Sequence, residues 1–295
     1  MRKTLNIDSS RGVLHLRSSE KNYLLKQFQP SSKLQPFVEQ FWHVKWDLRN
    51  RQPHIQKNLP QANTHITFED NKSLIYGPVT STFTRTLIEQ GNIFGIKFHV
   101  GALFPIIKYP TSDLTDRVIN LASLIKSSLT EKTATCLCVS PAPKISLEDN
   151  VNNKIKIAED FLQGLLFDHS SPFFITDTEQ ASKKIIQVRN IVKLIANNHS
   201  ITKLSQLAAQ TKLSERTLQR LFKSHVGLSP KWLIRKYRIH ELLDRLETHT
   251  SIQKIDWQQT VLDLDYVDQA HLINDFKSFI GCSPQQYLDQ KIITR

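Results

Sequence analysis

Between Tyr23 and Val100 apolar and polar residues alternate in short runs broken by Pro, Gly and Asn. The clearest are residues 37–48 (FVEQFWHVKWDL), 65–70 (HITFED), 73–77 (SLIYG) and 93–100 (IFGIKFHV). Period-two alternation puts successive side chains on opposite faces. Each run therefore predicts a strand with one buried face, paired antiparallel in a small barrel or sandwich. Near Gly101 the period lengthens. GALFPIIKY and LTDRVINLASLIKSSL predict helices, the second opening at Asp113 or Thr115. Residues 153–167 (NKIKIAEDFLQGLLF) predict another, and residues 178–198 set Ile185, Val188, Val192 and Ile195 on one stripe. The stretch between, 130–150, holds two prolines among small polar residues and reads as a linker. The pattern predicts an α+β chain: a β-rich, barrel-like sensor or dimerisation domain over 1–130, a linker and connecting helix over 131–175, and an all-α domain over 176–295.

The all-α part contains a repeat. In LSERTLQRLFKSHVGLSP (213–230), Ser214 is placed to cap a helix. Leu218, Leu221 and Phe222 then fall on one face, and Arg216, Gln219 and Arg220 on the other. A short helix over 202–211, with small Ala208 where helices approach, precedes it and completes a helix-turn-helix. Adding 54 to each number carries Ser214 to Asp268, Leu218 to Leu272, Phe222 to Phe276 and Lys223 to Lys277. It also carries Gly227, Ser229 and Pro230 to Gly281, Ser283 and Pro284. Seven like-for-like positions at one period mark a duplication, joined by one long helix over 229–247. The second helix of such a motif fits a major groove about 12 Å wide.

Charge sharpens this. The chain carries 39 Lys+Arg against 27 Asp+Glu, a net +12. Residues 1–180 contribute 21 against 17 and residues 181–295 contribute 18 against 10, so the excess gathers in the helical part. Between Lys203 and Arg238 nine basic residues face one acid, Glu215, which suits phosphate contact by Lys203, Lys212, Lys223, Lys231 and Arg235, with Lys277 in the second copy. From His240 to Asp275 the sign reverses, with eight acidic residues against Arg245 and Lys254. Three cysteines (136, 138, 282) close no disulfide framework and favour a reducing compartment. The first 16 residues lack the apolar core of a signal peptide, and no apolar run is long enough to span a bilayer. A cytoplasmic protein is expected, with no membrane partner.

The double motif with LxRxFK…GxSP, above all DQAHLINDFKSFIGCSP, resembles the AraC/XylS-type transcriptional regulators. FQPSSKLQPFVEQFW (28–42), LPQANTHITF (59–68) and GIKFHVGAL (95–103) are similar to the companion domain of one branch of that family, and the resemblance spans roughly residues 23–290. It implies a sequence-specific regulator of promoter DNA, with base contacts from Arg216, Gln219 and Arg220 and, in the second copy, Gln269 and Asn274. RNA polymerase and a small-molecule effector are implied partners, and a homodimer an implied state. Three positions depart from the family pattern: Asn274 stands where Arg is usual, Asp265 at the turn Gly, and Val261 at the small residue of the first helix.

A rival reading comes from the β-rich part, where His43, His54, His65 and His99 suggest a cupin-like metal-dependent enzyme fused to a DNA-binding module. No His-x-His or His-x₃-His pair supports it, and Cys136 and Cys138 lack a completing cluster. Phosphate loops, nucleophile elbows and paired-carboxylate motifs are missing too. No catalytic residue, cofactor or metal is therefore predicted. A ligand pocket, if the domain senses one, is expected around Trp42, His65, Phe68 and His99.

Overall fold

The computed structural model describes residues 22–127, 140–248 and 255–293. Cys136, Cys138 and the first 21 residues lie outside them. Eight strands form the N-terminal part: β1 (Leu24–Phe28), β2 (Val38–Asp47), β3 (His54–Asn58), β4 (His65–Glu69), β5 (Lys72–Tyr76), β6 (Phe83–Leu87), β7 (Gln90–Phe98) and β8 (Val118–Asn120). Six make an antiparallel sheet in the order β1-β2-β7-β4-β5-β8, and β3 and β6 pair as a second, two-stranded layer. The expected small barrel or sandwich takes the form of an open six-stranded sheet, with β1 and β8 at its edges, and a separate two-stranded one. Alternation works as read. Phe41, Phe94, Ile96 and Phe68 turn to one face and fill the first core, with the Phe94 ring 6.0 Å from Phe41 and 6.2 Å from Phe68.

Eleven helices follow among the described residues: α1 (Phe104–Ile107), α2 (Leu121–Ser127), α3 (Ala142–Leu147), α4 (Val151–Phe167), α5 (Thr178–Asn197), α6 (Leu204–Thr211), α7 (Glu215–Leu221), α8 (Pro230–Thr248), α9 (Trp257–Asp263), α10 (Gln269–Ile280) and α11 (Pro284–Ile293). The single helix expected from Asp113 or Thr115 is instead a 3₁₀ turn (Thr111–Leu114), strand β8 and then α2. Its helical spacing is overridden because β5 offers an open edge, on which Val118 and Ile119 pair with Tyr76 and Ile75.

The helix expected over 153–167 is α4, but the described end of the expected linker is not loose. Ala142, Ile145, Ile155, Ala158, Leu162, Leu165, Leu166, Phe173 and Ile175 are all buried in the first core. Pro141 and Pro143, which suggested a linker, stand at the start of the short helix α3, and the amphipathic α4 follows with its apolar stripe in the same core. Asp177 caps α5 by accepting from the Gln180 N–H at 2.8 Å. Along this helix Ile185 enters the first core and Val188, Ile191, Val192 and Ile195 enter a second.

Candidate nucleic-acid interface

The second core belongs to the first motif. Leu204 and Leu207 of α6 meet Leu218, Leu221 and Phe222, all buried. The Gln206 side chain reaches back to accept the Thr202 and Lys203 N–H groups at 2.8 and 2.9 Å, satisfying donors that the start of α6 leaves open. Lys212 makes the turn with φ 55, and Ser214 Oγ then accepts the Thr217 N–H at 3.1 Å to open α7. The helix runs on through Phe222–Val226 in a wider π turn and stops at Gly227, whose φ of 83 is the left-handed value that glycine adopts without strain. With the apolar face fixed inward, Arg216, Gln219, Arg220 and Lys223 stand exposed, and none of the three basic ones has an ion pair among the described residues.

The second motif repeats the plan over a third core that includes Val261, Leu264, Leu272, Phe276, Phe279 and Ile280. Asp256 caps α9, and Asp268 caps α10 by accepting the His271 N–H at 2.7 Å. Asp265 occupies the turn with φ 53, a left-handed conformation that a short polar side chain tolerates better than most. Gln269, Asn274 and Lys277 are exposed on the outer side of α10. Both outer faces are therefore open, each carried by a helix of the kind that enters a major groove.

A family profile described as a helix-turn-helix domain (HTH_18) matches residues 207–290, and one described as a domain of unknown function (DUF6597) matches residues 26–120. The 207–290 match spans both motifs, whose capped helices and open faces are in place. Residues 207–290 are an AraC-type helix-turn-helix DNA-binding domain. No curated protein matches it. Solved structures similar to this chain include ToxT of Vibrio cholerae, 13% identical over 91% of this chain and 98% of that one with a TM-score of 0.34. ToxT bound to (E)-4-(8-methylnaphthalen-1-yl)but-3-enoic acid gives 14% over 81% and 98%, with 0.36. Likeness that loose transfers no role to any residue.

In the AraC-type domain one expected phosphate contact is turned inward. Arg235 holds the buried carboxylate of Asp275 in a two-pronged pair, Nε to Oδ2 at 3.0 Å and the second prong to Oδ1, and the Tyr266 hydroxyl donates to Oδ2 at 3.2 Å. Arg238 likewise stacks on Tyr266 at 3.8 Å and donates to the Leu264 and Asp265 carbonyls at 2.7 and 2.6 Å, closing the end of α9. Lys236 is buried. The basic run on α8 thus splits. Lys231 stays exposed, while the others hold α8 to the second motif or lie beneath the surface. Lys203, Lys212, Lys223 and Lys277 are exposed, Lys203 with Asp265 at 3.7 Å. The sequence did carry a sign of Asp275: it sits 54 residues after Leu221, an acid within an apolar stripe.

In the N-terminal part the four candidate ligand residues do not line one space. The Trp42 and His65 rings meet edge to face, 6.2 Å apart, on the side of the sheet away from the first core, with Trp42 pressed flat over Gly95. Phe68 points the other way, into the core, and His99 bonds the Gln35 carbonyl at 3.1 Å at the end of β7. His43 lies on the core face opposite Lys26, and His54 bonds Asn22 at 3.1 Å. Among the described residues no three His, Cys, Asp or Glu side chains gather as a metal would need. No described helix is long and apolar enough to cross a membrane.

Four histidines, His43, His65, His99 and His225, share a physical state. Burial is the first cause that holds His43, His99 and His225 down to about 4 and His65 to about 3. Lys154 adds to it at His43, Arg189 at His99, Lys184 at His225 and Lys97 at His65. The unfolded chain therefore takes up protons first as pH falls, and stability present at pH 7 should drain away from about 6.5 down to about 4. Urea midpoints measured from pH 7.5 to 4.5 test this. A flat profile would mean the imidazoles are solvated.

Proposed function

We propose that the protein is a sequence-specific transcriptional regulator whose first motif reads bases through Arg216, Gln219 and Arg220. The observation that carries this is the capped α7, which is anchored by Leu218, Leu221 and Phe222 and leaves those three side chains exposed together. Arg pairs bidentately with guanine and Gln with adenine, while Lys203, Lys212, Lys223 and Lys231 supply phosphate contacts that are blind to sequence. Gln269 and Asn274 give the second motif a weaker, neutral reading, with Lys277 on the phosphates. Selection of bound sites from random duplexes tests the reading. The enriched sites should contain a G-bearing half-site, and Arg216→Ala should erase its enrichment.

A further reading is that the N-terminal domain answers to a small molecule. A hollow of about 610 Å³ at the seam between the two domains favours it, with Phe104, Ile175, Ala181, Lys108, Lys184 and His225 in its walls. His225 belongs to the continuation of the reading helix, and its ring lies 4.4 Å from Phe104. An occupant there would touch both domains. A fragment beginning at Thr178 should still fold and bind DNA, because both motifs and their caps lie within it. It should melt below the full chain, since Ile185 loses the first core. Circular dichroism melts and gel shifts of the fragment check this, and an unfolded fragment would refute the domain division.

A further inference from the structure

The loop between β3 and β4 enters the cores of both motifs. Leu59, 1% exposed, lies among Ile239, Leu242, Phe276 and Phe279 of the third core, and Ala62, 6% exposed, lies in the second core with Leu218 and Phe222. Four residues of the N-terminal domain, Leu59 to Ala62, therefore span from one helix-turn-helix to the other. The loop is not slack. Gln61 and Val79 exchange two backbone hydrogen bonds at 3.2 and 2.9 Å, and the Asn63 amide donates to Glu39 Oε2 at 2.9 Å and to the Phe98 carbonyl at 3.1 Å. Gln61 is thus tied to the connection between β5 and β6, and Asn63 to β2 and β7 of the sheet.

The neighbouring contacts repeat the pattern. Thr115 Oγ1 donates to the Gly227 carbonyl at 2.7 Å, and a Cβ on Gly227 would lie 2.8 Å from Pro78 and 3.0 Å from the Thr111 carbonyl. A Cβ on Gly281 would lie 3.5 Å from Thr82 Oγ1. The N-terminal domain meets the stop of each reading helix and leaves the exposed faces of both uncovered. The helical domain has ties of its own, Thr202 to Asp265 at 2.6 Å and the shared helix α8. Helix α8 is seated in both cores, with Leu233 and Ile234 in the second and Ile239 and Leu242 in the third, and the loop adds a separate brace across the same two cores from the sheet.

We propose that Leu59 and Ala62, held by Asn63, are positioning residues that set the distance and angle between the two reading helices. The N-terminal domain is then a gauge for half-site spacing, and whatever moves its β3–β4 loop changes which spacing is read. A rigid link between two binding modules raises the effective concentration of the second, and loosening it lowers affinity only where both are engaged. The DNA part of the test rests on the proposed base reading. The distance part does not.

The test uses the full chain with its three cysteines changed to serine and spin labels at Ala209→Cys and Val267→Cys, both exposed positions. Without DNA the parent should show one narrow distance distribution. Leu59→Ala, and Asn63→Ala which leaves both cores untouched, should broaden or shift it. On DNA, each variant should lose about tenfold on tandem half-sites and relax the preferred spacing, while staying within about twofold on a lone first half-site. An unchanged distribution in Asn63→Ala, or equal loss on lone and tandem sites, overturns the proposal. If Leu59→Ala does not fold, Asn63→Ala decides alone. If the parent selects no sequence, the base reading has failed while the distances still decide the gauge.

Discussion

Arg235→Met should destabilise the protein by about 3 kcal/mol, measured by urea unfolding, because it strands a carboxylate that water cannot reach. The Asp275 side chain is 5% exposed and has Arg235 as its two-pronged partner, with the Tyr266 hydroxyl at 3.2 Å and His271 Nε2 at 4.0 Å. The value sits at the low end for a buried pair because the Arg235 side chain is 43% exposed, so part of its attraction is screened. The first motif supplies the control, since Leu221, the equivalent of Asp275, is buried among apolar neighbours. Arg235→Met combined with Asp275→Leu should therefore recover most of the loss. A remainder of about 1 kcal/mol would belong to the Tyr266 hydroxyl, left without its acceptor. A double variant no better than the single one would mean the pair does not carry this energy. Because Arg235 faces inward, folded Arg235→Met should also keep the parent's salt dependence of DNA binding. A slope shallower by about 0.9 would return Arg235 to the phosphates.

The pair also shows where reading the chain alone reaches its limit. The double helix-turn-helix was legible, since caps, apolar stripes and stop glycines are local and repeat at one period. Ser214, Asp268, Gly227 and Gly281 all act as expected. What escaped was long-range. Nothing near Arg235 announces Asp275 forty residues on, so a tally of charges counted both as free. Likewise Val118 and Ile119 have helical neighbours in sequence and a strand edge as neighbour in space. Leu59 and Ala62 look like ordinary loop residues until two helical cores close over them. Of the candidate reading residues, those on α7 were placed by periodicity. The four assigned to a ligand pocket were placed by residue type alone, and the pleat of the sheet separated them.

Losing Arg216 and Arg220 together should abolish most sequence-specific binding, about 2–6 kcal/mol for two bidentate contacts, and leave a residue of non-specific affinity. The two motifs are unequal, and for a narrower reason than their summed charge. Most acids of the second half are occupied. Asp256 and Asp268 cap helices, Asp263 and Glu241 hold Arg245, Asp265 takes Thr202, Glu247 accepts from Tyr287 and Asp275 is paired. Their repulsion of a phosphate backbone is correspondingly weakened. What persists is the reading face itself: 54 residues after Arg216 stands Ala270, and after Arg220 stands Asn274. Neither is charged, so the second helix should release fewer counterions and is left with the neutral, adenine-type pairs that Gln269 and Asn274 can offer. Footprinting should show strong protection over one half of the site and faint protection over the other. Asn274→Arg should tighten binding and steepen its salt dependence by about one phosphate equivalent. Gln269→Ala with Asn274→Ala should cost about 1 kcal/mol. If that pair costs as much as Arg216 and Arg220, both helices read equally, and the neutral face of α10 is no handicap.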